Sequence, residues 1–211
     1  MRYRESPSSD KYVDVEYYQF RRGRLFNFLW KFSCLIIFPF VGPLAVGSKV
    51  FHFFFKPCSE FLSLFPSLIG FVARYVFYRI ALQSCGQNVL IDFGTVFYYP
   101  KTCIGSNVTF GIGNIIQHCD FGDNVLVGDS CRFIGGTEKH IYESVKVPIN
   151  RQGGRIKKIK VSSDSWVDTN SVIMESVGEG SVIRAGSVVI DRIEPYSICA
   201  GNPAAVVGKR R

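Results

Sequence analysis

The stretch Ser176–Val189, SVGEGSVIRAGSVV, decides how this chain is read. Val177, Ile183 and Val189 stand six positions apart, with Gly, Ser, Ala and charged residues between them. An amphipathic helix repeats its apolar positions about every 3.6 residues and a half-buried strand every 2, so a six-residue period belongs to neither. It marks a solenoid, in which each short unit buries one side chain and neighbouring coils complete the core. The same spacing extends backwards through Val161, Val167 and Ile173, with one shortened unit before Val177. An earlier series contains Ile104 and Phe110, then, after one shortened unit, Phe121, Val127 and Phe133. Each unit often continues with a small or turn-forming residue, and we expect a second small or β-branched residue about four places on, such as Val108, Val125, Val182 or Val188.

Outward from the repeat, the composition divides the chain. Of its 211 residues 47% are hydrophobic, and 25 Lys+Arg against 17 Asp+Glu give a net charge of +8, which excludes a disordered chain. Of the 19 Phe, 14 precede residue 81, whereas the repeat is plain in aromatics. No acid lies between Glu16 and Glu60, while Arg21, Arg22, Arg24, Lys31, Lys49 and Lys56 stand among apolar residues, a pattern suited to an anionic surface. Phe32–Ser48 carries no formal charge, but Pro39, Gly42 and Pro43 interrupt it, so the spacing predicts two short helical pieces meeting at FPFVGP rather than a simple span. A monotopic membrane-binding element is the favoured reading; core helices packed on the repeat or on a partner, and a true span, stay open. The polar N-terminus does not read as a signal peptide. Seven scattered cysteines without a CxxC pair argue against a disulfide scaffold or a zinc module. Residues 1–85 are therefore read as a helical, membrane-associating region, 86–207 as the repeat domain and 208–211 as a basic tail.

The motifs IGSNVT, FGDNVLVG, SVIRAGSVV and AGNPAAVV resemble the hexapeptide-repeat acyltransferases, whose fold is a left-handed parallel β-helix. The resemblance covers about 120 residues. It implies an all-β triangular solenoid after an α-helical N-terminal region, a homotrimer with active sites between subunits, and end caps from the N-terminal region and the tail IEPYSICAGNPAAVVGKRR.

Between Phe133 and Ile159 the repeat stops, and 134–158 reads as a loop on a rigid scaffold. Its His140 followed by PINRQGG is similar to the acetyl-CoA-dependent branch that modifies sugars and polysaccharides, in which the loop histidine is the general base. The chemistry agrees: a sugar hydroxyl is a poor nucleophile, and an imidazole titrating near ~6.5 can accept its proton as it attacks a thioester. Asn114 and Glu143 are candidates to orient the ring, and Gln152 is a possible acceptor contact. For the cofactor, acetyl-CoA, the resemblance implies Val161–Trp166, Ala185, Gly186 and the tail, with Lys209, Arg210 or Arg211 on its phosphates. Ser162, Asp168 and Arg184 stand where the family commonly has Gly, and Arg184 is read as a phosphate ligand, a partner of Asp168 or an obstruction.

His118, in IIQHCD, reads as interface packing, pointing from a corner toward a neighbouring subunit. A metal site is not expected, because only His118 and His140 lie in the repeat and His52 belongs to the aromatic region. The bases Arg151, Arg155, Lys157, Lys158 and Lys160 lack interleaved aromatics, which argues against nucleic acid. The expected function is an O-acetyltransferase acting on a surface-polysaccharide or lipid-linked oligosaccharide precursor, at the cytoplasmic face of a bacterial inner membrane. An N-acyltransferase on a nucleotide-linked amino sugar and a noncatalytic trimeric scaffold remain alternatives.

Overall fold

Six-residue units fold into flat, mostly two-residue strands joined by tight corners, three strands to a coil. The computed structural model describes residues 24–137 and 139–211; Arg21 and Arg22 of the basic belt and the polar opening of the chain lie outside the described residues. The first coil is β1 (Ser84–Cys85), β2 (Leu90–Ile91) and β3 (Val96–Phe97). The second is β4 (Cys103–Ile104), β5 (Thr109–Phe110) and β6 (Ile115–Ile116), and the third β7 (Cys119–Phe121), β8 (Leu126–Val127) and β9 (Arg132–Phe133). The fourth is β10 (Ile159–Val161), β11 (Trp166–Val167) and β12 (Val172–Ile173). A bridge at Val177, β13 (Val182–Ile183) and β14 (Val188–Val189) form the fifth, and a bridge at Ile193 with β15 (Ser197–Ala200) begins a sixth. Coil stacks on coil by parallel pairing along three faces, giving a left-handed parallel β-helix. β16 (Ala205–Lys209) turns back antiparallel on β15 and covers that edge.

Two of the three corners keep the six-residue period in every coil. All departures fall at the third, where the chain returns from the third face to the first: Phe97 to Ile104, Ile116 to Phe121, Phe133 to Val161, Ile173 to Val177 and Val189 to Ile193. At the corner between the first and second faces, Asn88, Asn107, Asn124 and Asp164 all have positive φ. The three asparagines form a side-chain ladder with two 3.0 Å hydrogen bonds. Asn and Asp tolerate this conformation better than other residues with a Cβ, because their short polar side chains bond locally.

The core changes character along the axis. Phe97, Phe110, Phe121 and Phe133 form a column with ring centroids 4.8–5.4 Å apart, whereas later coils bury Val161, Val167, Ile173, Val177 and Ile183. The second inward position corrects an expectation. It holds Val108 and Val125, but in later coils it is Ser165, Ser171, Ser181 and Ser187, all buried. Val182 and Val188 precede the inward residue of their strands by one place and are only half-buried. Buried hydroxyls survive there because each donates to a carbonyl, as Ser181 does to Glu194 at 3.0 Å and Ser171 to Arg184 at 3.2 Å.

The N-terminal helices are α1 (Arg24–Val50), α2 (Phe55–Ser63) and α3 (Ser67–Ala81). The expected break at FPFVGP is absent: α1 runs on through Pro39 and Pro43. At about 100° per residue, both prolines lie opposite the strip formed by Trp30, Val41, Ala45 and Ser48, which is buried. The missing hydrogen bonds thus fall on the outer side while packing holds the inner one. That outer side exposes Phe28, Phe32, Leu35, Ile36 and Phe40. Phe28–Val50 is long and apolar enough to cross a membrane by length and composition.

The helices close the open end of the solenoid with one polar contact per face. Arg79 donates to the carbonyl of Cys85 on the first face, and Arg74 Nε to that of Ile91 on the second at 2.8 Å. On the third, the Phe97 amide donates to Ser59 Oγ at 3.0 Å, and this hydroxyl also meets Tyr78 Oη at 2.6 Å. Arg74 is fully buried and donates as well to Leu62 and Phe65, at 3.1 and 2.7 Å. Arg74→Met should strand these carbonyls and lower the unfolding free energy by about 3 kcal/mol, read as a lower denaturant midpoint. An unchanged midpoint would show that the Arg74 contacts contribute nothing to the cap.

Candidate active site

The loop 134–158 leaves the return corner after β9 and rejoins the solenoid at β10. Backbone bonds pin its base: Lys157 N–H donates to Gly135 at 3.0 Å and Ile159 N–H to His118 at 2.9 Å. Two ion pairs hold its exit leg to neighbouring coils, Lys157–Glu175 at 2.5 Å and Lys158–Asp120 at 2.8 Å. The Lys157 hydrogen bond holds the Glu175 carboxyl below its ordinary range.

Within the loop, the two legs brace each other beside His140. Ile141 N–H donates to Gly153 at 3.0 Å. Gly154 passes so close that a Cβ there would overlap the Lys139 carbonyl, so glycine is required for the second leg to support the backbone of His140. Gln152 is a staple: it accepts from Ser144 N–H at 3.0 Å and donates to the carbonyls of Ser144 and Val147 at 2.8 and 2.6 Å. These bonds order the loop, so Gln152 shapes it instead of standing free for an acceptor. The His140 side chain is exposed, as is Glu143 three residues on.

Asn114 does not join them. It is buried at the corner between the second and third faces, with Nδ2 donating to Gly111 at 2.7 Å and Oδ1 accepting from Cys131 N–H at 2.8 Å. Its role is to satisfy the backbone of stacked coils, and it cannot orient a ring on the return corner.

The residues assigned to the cofactor are likewise spread out within one chain. Trp166 is half-buried on the second face. Arg184, Ala185 and Gly186 are exposed at the corner between the second and third faces, and a Cβ on Gly186 would meet only open space, so its φ of +70° is what glycine serves there. Lys209 and Arg210 sit near the first corner and are engaged with this chain: Lys209 Nζ reaches Ser197 Oγ at 3.0 Å, and Arg210 pairs with Asp164 at 2.9 Å. The buried thiols are poor nucleophile candidates, since burial pushes Cys85 to about 12 and Cys131 to about 11. Among the described residues, no three of His, Cys, Asp and Glu converge as metal ligands.

One cluster escaped the sequence reading. Tyr99, after β3, stacks on His118, after β6, with centroids 4.0 Å apart and planes at 24°. Lys139 Nζ donates to the adjacent Gln117 Oε1 at 3.2 Å, so this pair lies at the foot of the loop that carries His140.

A probable macrolide acetyltransferase of Lysinibacillus sphaericus is 32% identical to this chain over 120 residues, 46% of this chain and 67% of that protein. The chain belongs to the hexapeptide-repeat acetyltransferases. No family model matches it. The solved maltose O-acetyltransferase from Clostridium difficile 630 superposes with a TM-score of 0.66 over 80% of this chain and 89% of that one, at 20% identity. A galactoside acetyltransferase in complex with coenzyme A does so with a TM-score of 0.61 over 74% and 80%, at 21% identity. Both likenesses are of fold, while membership of the hexapeptide-repeat acetyltransferases makes the chain an acyltransferase.

Burial, then Lys158, press the His118 pKa below the ordinary imidazole value. A depressed folded pKa means that its contribution to stability is present above ~6.5 and lost as pH falls through the folded value. In an NMR pH titration His118 should therefore change charge below the ordinary midpoint, and Lys158→Ala should move it upward. A midpoint at or above the ordinary value would contradict this environment.

Proposed function

We propose that this hexapeptide-repeat acetyltransferase transfers acetyl from acetyl-CoA to a hydroxyl of a surface polysaccharide or a lipid-linked oligosaccharide precursor, with His140 as general base. The observation that carries this reading is the exposed imidazole of His140 on a loop braced by Gly153, Gly154 and Gln152. His140 takes the hydroxyl proton as the oxygen attacks the thioester carbonyl carbon. The tetrahedral oxyanion then collapses, the C–S bond breaks, and the proton passes to the departing CoA sulfur, leaving an ester. Support for the cofactor comes from the galactoside acetyltransferase solved with coenzyme A, and for sugar hydroxyls from that protein and the maltose O-acetyltransferase. A homotrimer fits the spread of the residues over separate corners, because a second copy can bring the Arg184–Gly186 corner to the return corner of the first.

The surface of α1 favours a lipid-linked acceptor. Its apolar outer face is exposed, while its buried strip extends from Trp30 to Ser48, so the helix is held to the protein along its length. That arrangement supports monotopic attachment to an anionic membrane, which for this chemistry is the cytoplasmic face of a bacterial inner membrane, over a free-standing span.

His140→Ala should lower kcat/KM by about 10² or more with a detergent extract of membrane glycans as acceptor, oligomer mass being unchanged. Undiminished turnover would overturn the base assignment, and a product stable to mild alkali would show an amide instead of an ester.

Because α3 caps the solenoid, attachment is better tested by point substitution than by truncation. Leu35→Glu with Phe40→Glu, at positions 69% and 76% exposed, should abolish flotation of the full chain on vesicles of phosphatidylglycerol and phosphatidylethanolamine. Equal flotation would reject the membrane face.

A further inference from the structure

The return edge carries a file of aromatic and polar side chains from the helices to the foot of the loop. At its upper end Lys56 of α2 lies over the Tyr98 ring, 4.3 Å from the centroid. Tyr98 adjoins Tyr99 at 6.3 Å between centroids, and Tyr99 stacks on His118. Gln117 then receives Lys139, the neighbour of His140. Tyr98, Tyr99, Gln117 and His118 are all half-buried, so each is packed on the edge and still presents surface. With coils about 4.8 Å apart, the three coils between the helices and the loop span roughly 14 Å.

We propose that this edge is the acceptor-binding track, along which a glycan lies with sugar rings packed on the surface that Tyr98, Tyr99 and His118 leave open, Tyr98 standing edge-on to Tyr99 at 65°, and with its outer hydroxyl at His140. The inference rests on the reading of His140 as the base. Sugar rings have apolar C–H faces that suit flat aromatic surfaces, and hydroxyl rims that suit amides and neutral imidazoles. Gln117 supplies the amide, and His118, whose charged form is disfavoured by burial and then by Lys158, supplies the imidazole. Lys56 stands where a phosphate joining the glycan to its lipid would emerge beside the apolar helices. Tyr99 and His118 are thus acceptor-binding residues that set specificity.

The test uses the full chain in detergent, acetyl-CoA with a radiolabelled acetyl group, and lipid-linked glycans extracted from membranes of the source cell. Tyr99→Ala and His118→Ala should each raise the apparent KM for glycan about ten-fold, with kcat and the KM for acetyl-CoA unchanged. Tyr99→Phe, which keeps the ring, should recover the wild-type value. An acceptor KM within about two-fold of wild type in the alanine variants, or an equal rise in both KM values, overturns the track. A changed oligomer mass with an unchanged acceptor KM also overturns it, and assigns the edge to a neighbouring subunit. If the wild-type chain labels no glycan, the glycan reading fails and the track falls with it. If His140→Ala is inactive while Tyr99→Ala keeps its acceptor KM, only the track fails.

Discussion

No coil of this molecule has a core of its own; each is covered by the coil above and the coil below. That constraint makes the two ends of the solenoid its weak points, because an end coil has one uncovered apolar layer and one row of unpaired peptide groups. The helical layer solves both at the first coil. Tyr78 packs against Phe97 with centroids 4.8 Å apart and planes tilted by 59°, extending the ring column, while Arg79, Arg74 and Ser59 satisfy one peptide group on each face. The apolar outer surface of α1 is therefore attached to the catalytic scaffold through a structural cap rather than through a flexible linker. The solenoid axis is thereby held in fixed relation to α1.

The six-residue period was readable because inward residues on straight faces cannot drift: an extra residue would rotate every later side chain out of the core. It was legible from Ile104 onward and at Val161–Val189. The first coil was harder to see because its inward residue on the first face is Cys85 and because seven positions, not six, separate Phe97 from Ile104. Val182 and Val188 misled for a chemical reason. β-branching fits either side of a strand, and the true inward positions hold serines whose hydroxyls donate to backbone carbonyls, of the stacked coil at Ser165, Ser171 and Ser181 and of the same coil at Ser187. Pro39 and Pro43 were read as a break by local rules, but their common placement opposite the buried strip is a property of tertiary packing.

In the candidate site, His140 was singled out by the loop and its neighbouring residues, whereas the bracing of that loop was only half visible. The PINRQGG segment drew attention, yet only the closeness of Gly154 to Lys139 and His140 explains why glycine stands there. Asn114 looked like a polar side chain available for chemistry, since the repeat does not say which polar residues face inward. The contact of Tyr99 with His118 lies beyond sequence reasoning for a geometric reason. They are 19 positions apart, the advance of the first coil onto the second, whereas the next coil advances by 17. Without each coil's length, no pair on the return edge can be placed together.

The lengths vary at one corner alone, and this bears on how such a scaffold acquires a site. Insertions on a straight face would break the stacking, so variation is tolerated only where the chain turns, and two of the three corners are held by ladders and close glycines. Gly122 marks that limit: a Cβ there would come 2.6 Å from the Ser163 amide of the next coil. The return corner has its close glycine, Gly135, only at the foot of the loop, and it carries a longer unit, a long loop and three shortened units. The loop and the Tyr99–His118 pair thus share the edge at which this solenoid changes its outline without uncovering its core. Variation in acceptor among solenoids of this kind is accordingly expected to concentrate on that edge, while the faces that carry the stacking stay uniform.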